Sequence, residues 1–388
     1  MASRRALIGL PCVFLVLQER GITSFDLGSC LVALAVGQFG LELPSGVVSD
    51  TYGRRATLII AGIARVAGWG CFACATSAEL AIIGFACMGA SFAFDSGSDS
   101  AWLYDTLKER NETARYTELE ARGQRFGFYA LGASSLIGGW VMTLSYDLAV
   151  ALTVIPLLVS CVAAGMLKEP KIEAKSEDVK FWSNVKEGLH RVWSDKFIFQ
   201  IVVLSSFAAA SLEVYFRFVQ QLISQQLGID PIALGYIYAL WLVIAGLSTK
   251  LVSPLLVKTR AVVVVRWAVV VLGLALVLLG GGNAPTALVL TAIPQICYAL
   301  LPVLVRSELN KTSESSVRAT ILSAFGFIVS VQMALIGAVV GYFADLMSIG
   351  AAVVWLGVSI LTFSIATHLF AEARKWRERP GWFASLWS

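Results

Sequence analysis

The stretch GVVSDTYGRR, which runs from Gly46 to Arg55, separates two long apolar segments. The flanking segments, Leu27–Val48 and Ala56–Thr76, each have about the 20 residues that a helix needs to cross a bilayer. A short charged turn that contains a glycine and joins two such segments is typical of a loop between membrane helices. The stretch therefore predicts a membrane protein whose chain turns here at the membrane surface.

The composition of the whole chain supports this class. Of its 388 residues, 57% are hydrophobic and only 14% are charged, and the mean hydropathy is +0.75. Soluble domains carry about 25% charged residues. The apolar runs are continuous rather than alternating, which favours membrane helices over a transmembrane β-barrel. The net charge of +4 is small and requires no nucleic-acid partner.

Apolar segments of spanning length recur along the chain. We predict an all-α membrane protein with twelve spans, of which the first is short at its cytoplasmic end. The predicted spans are Ala6–Leu17, Leu27–Val48, Ala56–Thr76, Leu80–Leu103, Phe126–Leu144, Ala149–Leu167, Phe197–Ile223, Ile232–Val257, Ala261–Leu279, Ala287–Val305, Ala319–Phe343 and Ile349–Phe370.

The longest charged connection falls between the sixth and seventh spans. It predicts a division into an amino-terminal six-helix bundle (residues 1–167), a cytoplasmic linker (168–196), a carboxy-terminal six-helix bundle (197–370) and a cytoplasmic tail (371–388). Within the linker, Phe181–Trp193 spaces apolar residues three to four apart. This spacing indicates an amphipathic helix at the inner membrane surface; a plain tether is the alternative.

The basic residues predict the orientation. Of the 30 lysines and arginines, all but Arg20, Arg65, Arg217, Lys250 and Arg266 fall in alternate connections and the two tails. Because positive loops stay in the cytoplasm, both termini are predicted to be cytoplasmic. The predicted location is the inner or plasma membrane.

The spacing Gly46-x3-Asp50-x2-Gly53-Arg54-Arg55, between the second and third of twelve spans, resembles the signature loop of the major facilitator superfamily. The six-plus-six layout resembles that family over the whole chain. The resemblance implies two six-helix bundles that rock about a central cavity and give alternating access to a solute. It implies no particular substrate.

The resemblance also implies a cytoplasmic latch that holds the outward-open state. Its predicted members are Gly46, Asp50, Gly53, Arg54, Arg55, Asp105 and Arg318. Asp50 can lie near the positive amino-terminal end of the eleventh span, which begins near Arg318. Arg54 or Arg55 can pair with Asp105 at the inner end of the fourth span. The alternative is that the arginines only anchor the loop at the inner surface.

Within the superfamily, Leu41–Gly46, Arg318–Ser323 and Asp95–Asp105 resemble a prokaryotic branch whose substrates are largely unassigned. Two positions depart from the multidrug antiporters. Phe85 stands where their fourth span has a buried arginine, and Ser134-Ser135 stands where their fifth span has Gly-Pro. Both departures argue against a standard drug–proton antiport mechanism.

Ionisable residues at membrane depth are the candidates for proton coupling, because each is costly there and tends to face a cavity. Asp95 and Asp99 lie one turn apart on the fourth span, Glu42 lies on the second span and Arg65 on the third. A carboxylate in a partly dry cavity is suited to carry a proton. The alternative is that Arg65 and nearby serines satisfy these carboxylates structurally.

A second group of polar residues lies near mid-depth and could contact a solute. Its members are Gln38, Glu213, Arg217, Gln295, Tyr298 and Gln332. Glu213 and Arg217, four residues apart on the seventh span, can gate the cavity, hold a charged solute or neutralise each other. The remaining side chains can equally join one helix to its neighbour.

Neither an enzyme nor an ATP-driven pump fits the sequence. Its two histidines are far apart, no GxxxxGK[ST] loop is present, and we predict no metal site and no cofactor. We predict a monomeric secondary transporter in the lipid bilayer that exports a small solute, with a proton gradient as its energy source. The alternatives are a metabolite importer, favoured if the buried carboxylates pair with Arg65 and Arg217, and a lipid-handling or sensor protein.

Overall fold

The computed structural model describes residues 3–96, 98–170, 181–194, 196–248, 261–312 and 315–377. All regular secondary structure in these ranges is helical. The helices are α1 Val13–Glu19, α2 Ser24–Gly40, α3 Glu42–Tyr52, α4 Arg54–Cys74, α5 Ala78–Asp95, α6 Ser98–Glu109, α7 Tyr116–Met142, α8 Tyr146–Gly165, α9 Phe181–Ser194, α10 Lys196–Val214, α11 Gln220–Gln226, α12 Pro231–Ser248, α13 Ala261–Gly280, α14 Ala284–Leu290, α15 Ala292–Thr312, α16 Ser315–Leu346 and α17 Ile349–Arg377. Short 3-10 turns cover Ser3–Arg5 and Thr113–Arg115, and a π-helical turn, Tyr215–Val219, joins α10 to α11.

Eight helical segments in the described part of the chain are long and apolar enough to cross a membrane. They are Arg54–Cys74, Ala78–Glu109, Tyr146–Gly165, Ile198–Gln226, Val262–Gly280, Pro285–Pro302, Ala324–Leu346 and Ile349–Phe370. The predicted second and eighth spans fall on the shorter apolar helices Ser24–Gly40 and Ile232–Ile244.

The first two predicted spans are interrupted, and prolines explain why. The prediction of a helix over Ala6–Leu17 is wrong in its first half, because α1 begins only at Val13. Pro11 cannot donate a backbone hydrogen bond and disfavours a helical conformation at the residue before it. The second span breaks at Leu41, between α2 and α3. Pro44 would clash there with the carbonyl four residues earlier, at Gly40.

The predicted fourth span is also two helices. It is interrupted at Ser96, where ψ reaches 109°, so that α5 ends at Asp95 and α6 starts at Ser98. The serine- and glycine-rich sequence here predicts such a deformation. The interruption lies between Asp95 and Asp99, the two carboxylates predicted to carry protons.

The chain forms two compact units. The first contains Met1–Phe181, Val214–Val243 and Met333–Ile349, and the second contains Trp182–Glu213, Ile244–Gln332 and Gly350–Ser388. The division into bundles of residues 1–167 and 197–370 stays a prediction.

In the first unit, α5 packs against α2 and α4, and α4 also packs against α8. Glycines allow the helix backbones to touch. A β-carbon on Gly89 of α5 would lie 2.8 Å from the backbone nitrogen of Gln38 in α2. Aromatic rings fill the adjoining core, where Phe85 lies 4.7 Å from Phe72 and 5.2 Å from Phe14, measured between ring centroids.

In the second unit, Gly280 of α13 lies against the backbone of Gly350, and Phe207 stacks on Phe363 with ring centroids 4.4 Å apart. The second half of the predicted linker is the helix α9. Val192 of this helix joins a buried cluster with Ile198, Ile201, Val202, Val305 and Ile321. Its position at the inner membrane surface stays a prediction.

Gly89→Ala should lower the apparent melting temperature of the detergent-solubilised protein. The added methyl group must push apart two helix backbones, which costs about 1–3 kcal/mol. Gly70→Ala is the matched control, because a β-carbon at Gly70 meets nothing within 4 Å, and alanine is favoured in a helix by about 0.5–1 kcal/mol. Equal melting temperatures for the two variants would contradict the backbone contact.

Candidate functional site

Four charged side chains of the first unit form one ion-pair network. Arg4 binds Asp95 with one guanidinium nitrogen and Asp99 with the other. Arg65 donates a further hydrogen bond to Asp95, with 3.2 Å between Nη2 and Oδ2. Asp95 therefore lies between two guanidinium groups, and we call these four residues the Arg4–Asp95 network.

Local structure determines where each member of the network lies. Arg4 belongs to the 3-10 turn Ser3–Arg5. A non-helical stretch that contains Pro11 follows this turn. Arg65 lies in the middle of α4 and is only 6% exposed. The interruption at Ser96 lets Asp95 end one helix while Asp99 occupies the first turn of the next. Two positive and two negative groups give a neutral cluster, as membrane depth demands.

The network borders a cavity of about 350 Å³. This volume lies at the small end of the range of about 300–1,000 Å³ that is usual for ligand pockets. Besides the four charged groups, Trp102 and Ser160 line it. The rest of the lining is mostly apolar: Leu58, Ala61, Gly62, Leu103, Leu119, Gly123, Ala163, Ala164 and Leu167.

The non-helical stretch after Arg4 is held by side chains from later in the chain. The backbone N–H of Gly9 donates to the Thr153 hydroxyl at 2.7 Å. The Gln221 amide accepts from the N–H of Phe14 and donates to the carbonyl of Leu10, both at 2.9 Å. Backbone groups that lose helical partners inside a membrane need such replacements.

The signature loop binds a carboxylate. Gly53, the residue directly before α4, has a φ of +91°, a conformation that favours glycine. The Glu169 carboxylate accepts from the backbone N–H of Arg54 at 2.7 Å and of Arg55 at 2.8 Å. A side chain on Gly53 would collide with this carboxylate. An anion at a helix amino terminus is stabilised by the unpaired N–H groups and the helix dipole.

The structure places Arg54 beside Asp105, with 3.8 Å between Nε and Oδ2. Arg54 also donates to the Ser49 hydroxyl, and Arg55 donates to the Gly165 carbonyl. Of the two predicted partners for Asp105, Arg54 is therefore the one in contact. Gly46 lies within α3. The side chains of Asp50 and Arg318 lie outside the part of the structure that is described, so their contact stays a prediction.

The other candidate residues are distributed over both units. In the first unit, Glu42 occupies the first turn of α3. Gln38 lies on α2, where its backbone meets Gly89. Arg217 lies in the π-helical turn, with its guanidinium carbon 5.5 Å from the centre of the Phe92 ring. A π-helical turn within a membrane helix frequently accompanies a functional site.

In the second unit, the Tyr298 hydroxyl donates to Glu213 at 3.0 Å. Gln295 is buried at 6% exposure. The side-chain oxygen of Gln332 is buried and has no hydrogen-bond partner among the described residues. The assignment of these residues to a solute cavity stays a prediction.

Sequence reasoning missed three members of these sites. Arg4 resembles any basic residue of a cytoplasmic tail, and Glu169 resembles an ordinary linker residue. Gln221 is one of two adjacent glutamines and carries no signal of its contact with a stretch 200 residues earlier. Only the position of Glu169 directly after the sixth span, at the same membrane surface as the loop, could have indicated its role.

The family model for the Major Facilitator Superfamily matches residues 5–336, so the chain belongs to that superfamily. Among curated proteins it is similar to the uncharacterized MFS-type transporter YxaM of Bacillus subtilis (strain 168), with 24% identity over 59% of this chain. It is also similar to the multidrug resistance protein MdtH of Enterobacter sp. (strain 638), with 26% identity over 64% of this chain. These alignments span 58% and 60% of the two relatives' own lengths.

Solved structures show the same fold. The nucleoside transporter NupG matches with a TM-score of 0.73 at 11% identity, over 95% of this chain and 96% of the other. A D-xylose-proton symporter matches with a TM-score of 0.64 at 14% identity, over 93% and 95% of the two chains. The predicted fold, an all-α membrane protein with the twelve-helix, two-bundle architecture of this superfamily, is confirmed.

Arg4→Ala should destabilise the protein by about 2 kcal/mol, because it leaves two partly buried carboxylates without their shared partner. The apparent melting temperature measures this loss. Asp147→Ala is the control: it breaks the Arg20–Asp147 pair, in which the Asp147 side chain is 67% exposed, and should cost less than about 1 kcal/mol. Adding Asp99→Asn to Arg4→Ala should recover part of the loss; a further fall would contradict the pairing.

Glu169→Ala should lower the apparent melting temperature through loss of the anion at the start of α4, by about 0.5–2 kcal/mol. Glu112→Ala is the control. It removes an exposed ion pair with Arg115, three residues further along the chain, and should change the free energy of unfolding by less than about 0.5 kcal/mol. The loop would not depend on Glu169 if both substitutions had the same small effect.

Proposed function

We propose that this chain is a secondary transporter that moves a small solute together with a proton, and that Asp95 carries the proton. The single observation that carries the proposal is the position of Asp95 between Arg4 and Arg65 beside a cavity of ligand size. Family membership supports alternating access as the mechanism.

The two guanidinium groups that bind Asp95 are also the groups that an anionic solute in the cavity would bind. A carboxylate next to positive charge keeps its ionised form. An anionic group of a solute that binds Arg4 or Arg65 would remove part of that charge from Asp95. The carboxylate could then be protonated, so that solute anion and proton load together and leave together. Such a mechanism is the symport of a proton with a small organic anion.

The pairing of Asp95 with Arg65 also favours import over export. An exporter of cations by proton exchange needs a carboxylate that the cation can reach, whereas here both carboxylates already hold a guanidinium. The D-xylose-proton symporter among the structural matches is an example of the fold working with a proton. The distribution of lysines and arginines supports an orientation with both termini in the cytoplasm.

Proton-coupled export is the second candidate, and the similarity to the multidrug resistance protein MdtH is the observation that favours it. A pump-deficient bacterium loaded with a fluorescent cationic dye tests it. Loss of dye that requires both the protein and the proton gradient would support export.

A proton-flux measurement tests the leading proposal. Wild type, Asp95→Asn and Asp147→Asn are reconstituted into liposomes that contain a pH-sensitive dye, and small mono- and dicarboxylates are added outside. Solute-dependent acidification of the interior is expected for wild type and for Asp147→Asn, which alters an aspartate–arginine pair away from the network. Asp95→Asn should abolish it.

Two outcomes would overturn the mechanism. If Asp95→Asn keeps the same solute-dependent proton flux, Asp95 does not carry the proton. If wild type alkalinises the interior on addition of solute, the protein exchanges solute against proton, and the symport logic is wrong.

A further inference from the structure

The amino-terminal end of α2 and the carboxy-terminal end of α16 meet in the first unit through an unusually specific contact. The Asp345 carboxylate accepts hydrogen bonds from the backbone N–H groups of Ser24 at 2.9 Å and Phe25 at 2.7 Å. These are the first two residues of α2. Asp345 therefore caps the amino terminus of a helix that lies more than 300 residues away in the chain.

The α2 helix does not need this cap to begin. Thr23 and Asp26 already form a capping box, in which the Thr23 hydroxyl accepts from the Asp26 N–H and the Asp26 carboxylate accepts from the Thr23 N–H. The capping box leaves the N–H groups of Ser24 and Phe25 without an acceptor in their own helix, and the Asp345 carboxylate accepts a hydrogen bond from each. The additional cap thus joins two helices rather than completing one.

Close packing continues below the cap. A β-carbon on Gly341 would lie 2.9 Å from the carbonyl carbon of Ser24, and one on Gly337 would lie 3.2 Å from the carbonyl oxygen of Gly28. Residues 24 and 28 thus meet residues 341 and 337 in reverse order, so α2 and this part of α16 run antiparallel. Phe25 and Tyr342 flank the contact edge to face, with ring centroids 6.5 Å apart.

We propose that Asp345 is a gating residue that holds the outer ends of α2 and α16 together in one of the two alternating conformations. The proposal rests on alternating access, as proposed above, and on the orientation that the basic residues predict. We call the contact of Asp345, Gly337 and Gly341 with Ser24 and Gly28 the outer clasp.

The signature loop predicts the counterpart of the outer clasp. Asp50 follows the predicted second span and lies on α3. Its position near the amino-terminal end of the eleventh span stays a prediction. In the alternating access that the proposed function assumes, this inner contact and the outer clasp would form in opposite conformations, so that one breaks as the other is made.

Spin-label distances test the role of Asp345 without any solute. Labels are attached at two exposed positions on the predicted outer side, Thr76 at the end of the third predicted span and Gly281 in the connection between the ninth and tenth, in a background without native cysteines. The distance distribution is compared for the unsubstituted background and for Asp345→Asn. Loss of an anion from a helix amino terminus should raise the ratio of long to short distances about two- to fivefold.

Asp230→Asn is the matched control. Asp230 also caps a helix start in a predicted outer connection, accepting from Ile232 N–H at 2.8 Å and Ala233 N–H at 3.3 Å, but within its own helix. It should leave the distribution unchanged. Equal distributions for Asp345→Asn and the unsubstituted background would overturn the proposal.

A second variant keeps the test informative if Asp345→Asn does not fold. Gly28→Ala leaves Asp345 intact but places a methyl group 3.2 Å from the Ala338 Cα atom, and it should shift the distribution in the same direction. Gly40→Ala on the same helix meets nothing within 4 Å and serves as its control. A shift with Gly28→Ala but none with folded Asp345→Asn would show that packing alone holds the clasp, which also overturns the role of Asp345.

The two proposals fail separately. The label distances report the conformational equilibrium whether or not a proton moves. A result against Asp345 therefore leaves the proton-flux test of Asp95 untouched. A proton-flux result that contradicts the role of Asp95 would in turn leave the interpretation of the label distances unchanged.

Discussion

A charged side chain at membrane depth must be neutralised by a partner, and the first unit is arranged around that constraint. Asp95 and Asp99 bring two negative charges into an apolar helix pair, and Arg65 on α4 supplies only one positive charge. The second comes from Arg4, which reaches the carboxylates from a turn before the first helix. Because an unpaired carboxylate would be costly there, the position of the turn Ser3–Arg5 depends on these two aspartates.

The position of Arg4 has a consequence for the backbone that follows it. Between Arg5 and Val13 the chain is not a regular helix, and its N–H and carbonyl groups need other partners. Thr153 of α8 and Gln221 of α11 supply them. The arrangement that neutralises the aspartates is therefore completed by polar side chains that are distant in sequence.

The residues show which parts of this architecture a sequence can predict. The contact between Arg54 and Asp105 could be predicted because both residues lie at the same end of neighbouring spans. The contact between Arg65 and Asp95 could be predicted because both lie at a similar depth in neighbouring spans. The helix interruptions are local too, since Pro11, Pro44 and the Ser96 region contain their causes. Arg4, Glu169 and Asp345 are different: each is an ordinary charged residue near a helix end, and its partner is chosen by packing that no local pattern encodes.

In the first unit, Asp95 and Arg4 are packed against different helices. Gly37 and Gly89 bring α2 and α5 into backbone contact, so that Asp95, at the end of α5, must follow α2. Residues around Arg4 instead lie against α7 and α8, where Gly138 meets Ile8 and Gly9 meets Val150. Helix α4, which carries Arg65, packs against both α5 and α8 and therefore joins the two groups of helices at Asp95 itself. A displacement of α2 at the Asp345 cap would reach Asp95 through α5, and there it would act on the contacts of Asp95 with Arg4 and Arg65.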